Sequence, residues 1–240
     1  MRSGKPLNWR WHRARLEADC AALALAMPDE ATLREEIARV APADATVKVT
    51  VTRGAGKRGY GIAPGVPPTR IVAAFPPPDY PASRAQEGVT VRRCELVLSE
   101  QPRLAGAKTL NRLENVLARS EWDDASIAEG LLGDASGHVV EGTMSNVFVV
   151  KQGALFTPAL ERCGVIGAQR ERIRELAIAQ GVACIERPVT WNDLVEADEV
   201  FLTNSLIGVW PVGRYERRQW IVGPMTRRVQ AMMREDDARA

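Results

Sequence analysis

From residue 130 to residue 157 the sequence offers four short β-prone segments in succession, 130–133, 138–140, 146–150 and 154–157, with turn residues between them and no helix. Gly137 in one gap and Gln152-Gly153 in another mark hairpins, so segments adjacent in the chain are expected to pair directly. Strands that arrive in pairs, without a helix after each, disfavour a doubly wound parallel sheet and predict a mixed α+β fold.

The flanking chain fits that class. A helix is expected over 9–26, with Leu16, Cys20, Leu23 and Leu25 on its apolar side, and a second over 31–41 capped by Asp29. Residues 47–53 alternate as a half-buried strand does, and 70–75 and 89–98 read as further strands. Residues 99–107, with Pro102 and Gly106, read as a linker between a small first domain, 1–98, and a larger second one, 108–240. In the second, a helix over 168–180 carries the stripe Ile173, Leu176 and Ala177 and stops at Gly181. A strand over 183–189, a short helix over 192–195, strands over 199–203 and 209–212 and a helix from 225 complete the chain.

The composition narrows the chemistry. Of the 240 residues 26% are charged, but they nearly cancel to +2, so neither a nucleic-acid partner nor a membrane is expected, and the basic start reads as the solvated face of a helix. Four cysteines form no Cys-x-x-Cys pair, which suits a reducing, cytoplasmic setting. His12 and His138 lie far apart without a ligand pattern, so neither a metal site nor a serine triad is expected. Lysine, carboxylates or a cofactor must therefore do the work.

Lys108 is the lysine best placed for it. It stands at the entrance of a patterned helix whose Leu110, Leu113, Val116 and Leu117 form one apolar stripe, expected to dock firmly and hold the lysine's backbone still. An amine that attacks a carbonyl carbon needs that fixed approach and partial desolvation, because only the neutral form is a nucleophile. Gly54-Ala-Gly56-Lys-Arg-Gly59 matches a dinucleotide fingerprint in letters alone, since the loop runs on into Pro64, Pro67 and Pro68, where no helix can start. Those glycines read instead as a loop in which Arg53 and Arg58 offer forked donors to a carboxylate.

Six stretches, in order along nearly the whole chain, resemble the fold-type IV pyridoxal-phosphate enzymes: His12-x-x-Arg15-Leu16, Arg53-Gly-x-Gly-x-Arg58-Gly-Tyr60, Lys108-x-x-Asn111-Arg-Leu-Glu, Glu141-Gly-Thr-Met-Ser-Asn146, Gly164-Val-Ile-Gly167, and Thr203-Asn-Ser205 before Pro211-Val212. Within that superfamily they are most similar to the 4-amino-4-deoxychorismate lyases. The resemblance implies a two-domain, D-amino-acid-aminotransferase-like fold working as a homodimer. It implies that pyridoxal 5'-phosphate is carried on Lys108 as an internal aldimine, with Glu141 against the pyridine nitrogen and Asn146 nearby. It implies a phosphate held by Arg15, by the backbone amides of Ile166 and Gly167 at a helix start, and by Ser205, with Asn204 beside it. Arg58, then Arg53, with Tyr60, are the expected substrate contacts.

The implied reaction converts 4-amino-4-deoxychorismate into 4-aminobenzoate and pyruvate, a step of folate synthesis, with Lys108 acting first as carrier and then as acid or base. A branched-chain or D-amino-acid transaminase of the same fold is the alternative, and an inactive binder a third. Relatives of this kind have further N-terminal sheet before the Arg15 helix, so Met1-Arg-Ser-Gly-Lys5 is expected to begin near the end of a strand, as in a truncated chain.

Overall fold

The computed structural model describes residues 1–56 and 58–239; Lys57, in the glycine-rich loop, and Ala240 lie outside the described residues. The chain divides into two compact units, Met1–Asp79 and Tyr80–Ala240.

The first unit holds α1 (Trp9–Ala22), α2 (Glu30–Val40), β1 (Thr46–Thr52) and β2 (Thr69–Phe75). Asp29 caps α2 as its position predicts, its carboxylate accepting the Thr32 amide at 2.9 Å. Cys20, Leu33, Ile37 and Ala45 are buried here. β1 and β2 pair antiparallel from Thr46 opposite Phe75 to Thr52 opposite Thr69. The described residues of the 53–68 connection contain no helix, so the glycine-rich loop lacks the element that would aim amides at a pyrophosphate.

The second unit runs α3 (Ser83–Gln86), β3 (Val89–Leu98), α4 (Leu113–Arg119), β4 (Ile127–Asp134), β5 (His138–Gly142), β6 (Asn146–Lys151), β7 (Ala154–Pro158), α5 (Ala168–Ala179), β8 (Cys184–Arg187), β9 (Val189–Thr190), α6 (Trp191–Val195), β10 (Glu199–Asn204), β11 (Gly208–Tyr215), β12 (Arg218–Gln219) and α7 (Pro224–Arg239). The strands form one sheet in the order β8-β7-β6-β10-β11-β3-β4-β5-β9, with β12 added on β11. β3 is parallel to both β11 and β4, and β7 to β8, while the hairpins β4-β5 and β6-β7 are antiparallel, so the fold is α+β as expected. Both turn signals are used: φ is +82° at Gly137, +52° at Gln152 and +75° at Gly153.

β6 shows why its sequence is a continuous apolar run. Val147 and Val149 pack with Leu131, Leu194, Leu202 and Trp210 on one face. Phe148 and Val150 pack with Ile173, Ala177, Val229 and Met232 of α5 and α7 on the other. A strand covered on both sides has no position to give to water. β5 and β6 are consecutive in the chain, yet β10, β11, β3 and β4 lie between them in the sheet. Because a turn of three residues spans little more than about 14 Å between its flanking positions, the sheet must curl until these strands approach each other.

Two expectations are corrected. The division falls between Asp79 and Tyr80 rather than at 99–107, because β3 sits inside the second sheet between β11 and β4. The supposed linker is stitched to that unit by Gln101 N–H to Arg162 O at 2.8 Å and Gly106 N–H to Gly164 O at 3.0 Å. Proline and glycine mark a crossover inside a domain as readily as a boundary. The second correction concerns the helix after Lys108. It starts only at Leu113, and its apolar stripe points outward: Leu110, Leu113, Val116 and Leu117 are 65%, 68%, 61% and 51% exposed. The docked side is small and polar, with Ala118 buried, Asn115 Nδ2 donating to Thr143 O at 3.0 Å, and Glu114 Oε1 accepting the Ser99 amide at 2.8 Å.

Candidate active site

The site of the second unit is built around a short loop, 164–167, that three separate segments grip. Gly106 forms a parallel bridge with Val165, its amide donating to Gly164 O and its carbonyl accepting the Ile166 amide at 2.9 Å. Gly106 has φ +79°, a left-handed conformation that any residue with a Cβ adopts only under strain. Two residues further on, Lys108 leaves the bridge with its side chain exposed, on non-helical backbone ahead of α4. That bridge, two residues before the lysine, ties its stretch of chain to the 164–167 loop.

Glu141, buried near the end of β5, grips the same loop, its Oε2 accepting the Val165 amide at 2.9 Å. Among the described residues only this oxygen of Glu141 accepts a hydrogen bond. Burial pushes its carboxyl up to about 7, against the opposing pull of the Val165 amide, Arg112 and Lys108. The acid is thus poised near neutrality beside two cations, and a protonated ring nitrogen at its open oxygen would compensate the lost solvation.

Asn146, first residue of β6, is the third grip. Its Nδ2 donates to Val165 O at 2.8 Å and its Oδ1 accepts the Gly167 amide at 3.1 Å. The resemblance placed Asn146 by the cofactor; here each end of its amide makes one hydrogen bond to the loop. The same geometry bears on the expected anion donors. The Ile166 amide goes to Gly106 O and the Gly167 amide to Asn146 Oδ1, so neither is left for a phosphate. Gly167 caps α5, and the ladder begins with Glu171 N–H to Gly167 O, which leaves the amides of Ala168, Gln169 and Arg170 without intrahelical acceptors. The amides left open at the start of the helix are therefore those of 168–170.

On β10 and the turn after it, Asn204 holds backbone groups. Its Nδ2 donates to Met144 O at 2.9 Å, and its Oδ1 accepts the Leu206 and Ile207 amides at 2.8 and 2.9 Å. That turn leaves Ser205 exposed. Thr203 is buried, its hydroxyl donating to Gly208 O at 2.7 Å.

The remaining expected residues belong to the first unit. Arg15 Nη1 pairs with Asp19 Oδ2 at 2.9 Å, one turn along α1. Burial pushes the neighbouring His12 imidazole down to about 4, so it is neutral at physiological pH. The Arg53 guanidinium donates to the carbonyls of Ala24, at 2.9 Å, and Leu23, capping the end of α1. Arg58 and Tyr60 are exposed in the 53–68 connection.

Sequence reasoning missed Gly106, Asn115, Arg112 and Glu129. Arg112 donates to Thr109 Oγ1 at 3.1 Å, while its Nε is buried without a hydrogen-bond partner. Glu129 is an acid inside the apolar strand Ile127–Asp134, whose other acid, Asp134, stands at its end, and a charge within such a run must have partners, which is the signal that could have found it.

A two-unit α+β chain, in which the backbone just before a lysine and a buried acid both hold a loop that opens a helix, has the framework of a cofactor-dependent transferase fold. The chain belongs to the amino-transferase class IV family, whose model matches residues 1–215. Within the family it is similar to the aminodeoxychorismate lyase of Vibrio harveyi, at 34% identity over 95% of this chain and 87% of that protein. The crystal structure of 4-amino-4-deoxychorismate lyase from Pseudomonas aeruginosa superimposes with a TM-score of 0.93 and 44% identity, covering 98% of this chain and 88% of the other. The branched-chain amino acid aminotransferase of Escherichia coli shares the fold at a TM-score of 0.78 and 25% identity, covering 93% and 77%.

Proposed function

We propose that this chain is a pyridoxal-phosphate-dependent lyase that converts 4-amino-4-deoxychorismate into 4-aminobenzoate and pyruvate. The observation that carries the reading is the tie between the chain at Lys108 and Glu141: Gly106, two residues before the lysine, is bridged to Val165, whose amide Glu141 holds. Similarity to two aminodeoxychorismate lyases over nearly the full chain supports the choice of reaction.

The residues fit the cofactor. Glu141, with one oxygen open and a proton affinity near neutrality, suits the pyridine nitrogen. The amides of Ala168, Gln169 and Arg170 and the exposed hydroxyl of Ser205 suit the phosphate. When bound, pyridoxal phosphate supplies a sink for carbanion electrons. Glu141 keeps the ring nitrogen protonated, which deepens that sink. Lys108 binds the cofactor and then moves a proton at the carbon that bears the substrate's amino group. Departure of the enolpyruvyl group leaves an aromatic ring, which drives the reaction forward.

The proposal includes a homodimer and a cytoplasmic setting. The exposed apolar side chains of α4, Leu113, Val116 and Leu117, with Leu110 just ahead of it, are the sort of face a second copy covers. No helix of the described residues is long and apolar enough to cross a membrane.

The test is spectroscopic and chemical. Incubation with pyridoxal phosphate should give a yellow protein, borohydride should fix the label on Lys108, and 4-amino-4-deoxychorismate should yield 4-aminobenzoate. Glutamate formed from an amino acid and 2-oxoglutarate, without lyase turnover, would assign the chain to the transaminases instead.

A further inference from the structure

The geometry points to Glu129 as a positioning residue of this site, one that sets where Glu141 and Asn146 are presented through the turn between β5 and β6. This inference rests on the cofactor reading only for its second readout.

Glu129 lies on β4 and is 1% exposed. Its Oε1 accepts the amides of Gly130 at 3.0 Å and Thr143 at 3.1 Å and the Thr143 hydroxyl at 2.5 Å. Its Oε2 accepts the Met144 amide at 3.2 Å and the Ser145 hydroxyl at 2.8 Å. Four of these five donors belong to residues 143–145. A carboxylate removed from water needs such convergence, and the dependence is mutual, since the turn cannot shift without leaving a buried charge unpaired.

The other side of the turn is fastened as well. The Thr143 amide also reaches Gly130 O, while Thr143 O accepts from Asn115 of α4 and Met144 O from Asn204 of β10. Donors face Glu129 and acceptors face the two asparagines, so the turn has one position. Glu141 stands two residues before Thr143, and Asn146 follows Ser145 directly. Both then act on 164–167: Glu141 holds the Val165 amide, and Asn146 holds Val165 O and the Gly167 amide. Glu129 hydrogen-bonds to no residue of that loop, yet the spacing between the buried acid and the start of α5 depends on the turn that it pins.

Glu129→Gln tests this, because the variant keeps the shape while its amide nitrogen cannot accept a hydrogen bond. In the cofactor-free protein, amide hydrogen exchange should quicken about tenfold or more at Val165 and Gly167 as well as at Thr143 and Met144. Quickening confined to Thr143 and Met144, in a folded variant, would overturn the inference. Should Glu129→Gln not fold, Ser145→Ala removes a single donor, and exchange at Val165 and Gly167 unchanged from wild type in that folded variant would overturn it equally. For the loaded protein, the variant should bind pyridoxal phosphate about tenfold more weakly and lose kcat with KM unchanged. The exchange experiment contains no cofactor, so a wild-type protein that takes up no pyridoxal phosphate would defeat the functional reading while leaving this one to be judged.

Discussion

Asn146 Oδ1 and the Gly167 amide nitrogen lie 3.1 Å apart, and a Cβ built on Gly167 would fall 2.2 Å from that same oxygen. The glycine is required by its neighbour, not by its backbone angles, since φ here is an ordinary −72°. Gly167→Ala should push the Asn146 side chain aside and release Val165 O as well. The expected result is a loss of roughly 1–3 kcal/mol in urea unfolding, with weaker pyridoxal-phosphate binding by equilibrium dialysis. Asn146→Ala should reproduce both effects without a clash.

Glu141 makes the cofactor-free protein sensitive to pH. Its folded-state value, about 7, lies above the ordinary 4.5 because burial disfavours the charge. The folded state therefore binds the proton more tightly, and the cost of ionisation starts near pH 4.5 and is complete above about pH 7. Glu141→Gln removes that cost. At pH 8 the variant should exceed wild type by an amount on the order of a few kcal/mol, the advantage vanishing toward pH 4.5, while lyase activity is lost. An advantage in urea unfolding that does not change with pH would contradict the assignment.

Arg53 and Arg58 should separate cleanly. Arg53 closes the end of α1, so Arg53→Met should cost about 1–2 kcal/mol of stability. Arg58 is exposed and proposed to meet a substrate carboxylate. Arg58→Met should leave the melting temperature alone and raise KM about tenfold or more. Steady-state kinetics together with calorimetry on both variants checks the division.

The exposed stripe of α4 makes the oligomeric state testable. Leu113→Lys with Val116→Lys places two charges on a face that a second copy would bury, and sedimentation velocity should show the dimer converted to monomer. A wild-type protein that sediments as a monomer would remove the homodimer from the proposal.

Local patterning was sufficient for much of this protein. Strand 89–98, the turns at Gly137 and Gln152-Gly153, the Asp29 cap and the extent of α5 follow from periodicity and turn chemistry, which act over a few residues and can be read in order. Lys108, Glu141 and Gly167 stood out through motif resemblance for the same reason. Tertiary structure alone decided which face of α4 turns inward, since an apolar stripe has the same period whether a core or a partner covers it. It also decided that Asn146, Asn204 and Arg53 spend their hydrogen bonds on backbone, and that Glu129 anchors a turn fourteen to sixteen positions away. A polar side chain shows in sequence what it can donate or accept, but which atoms it meets depends on strands that reach it only after the sheet has curled.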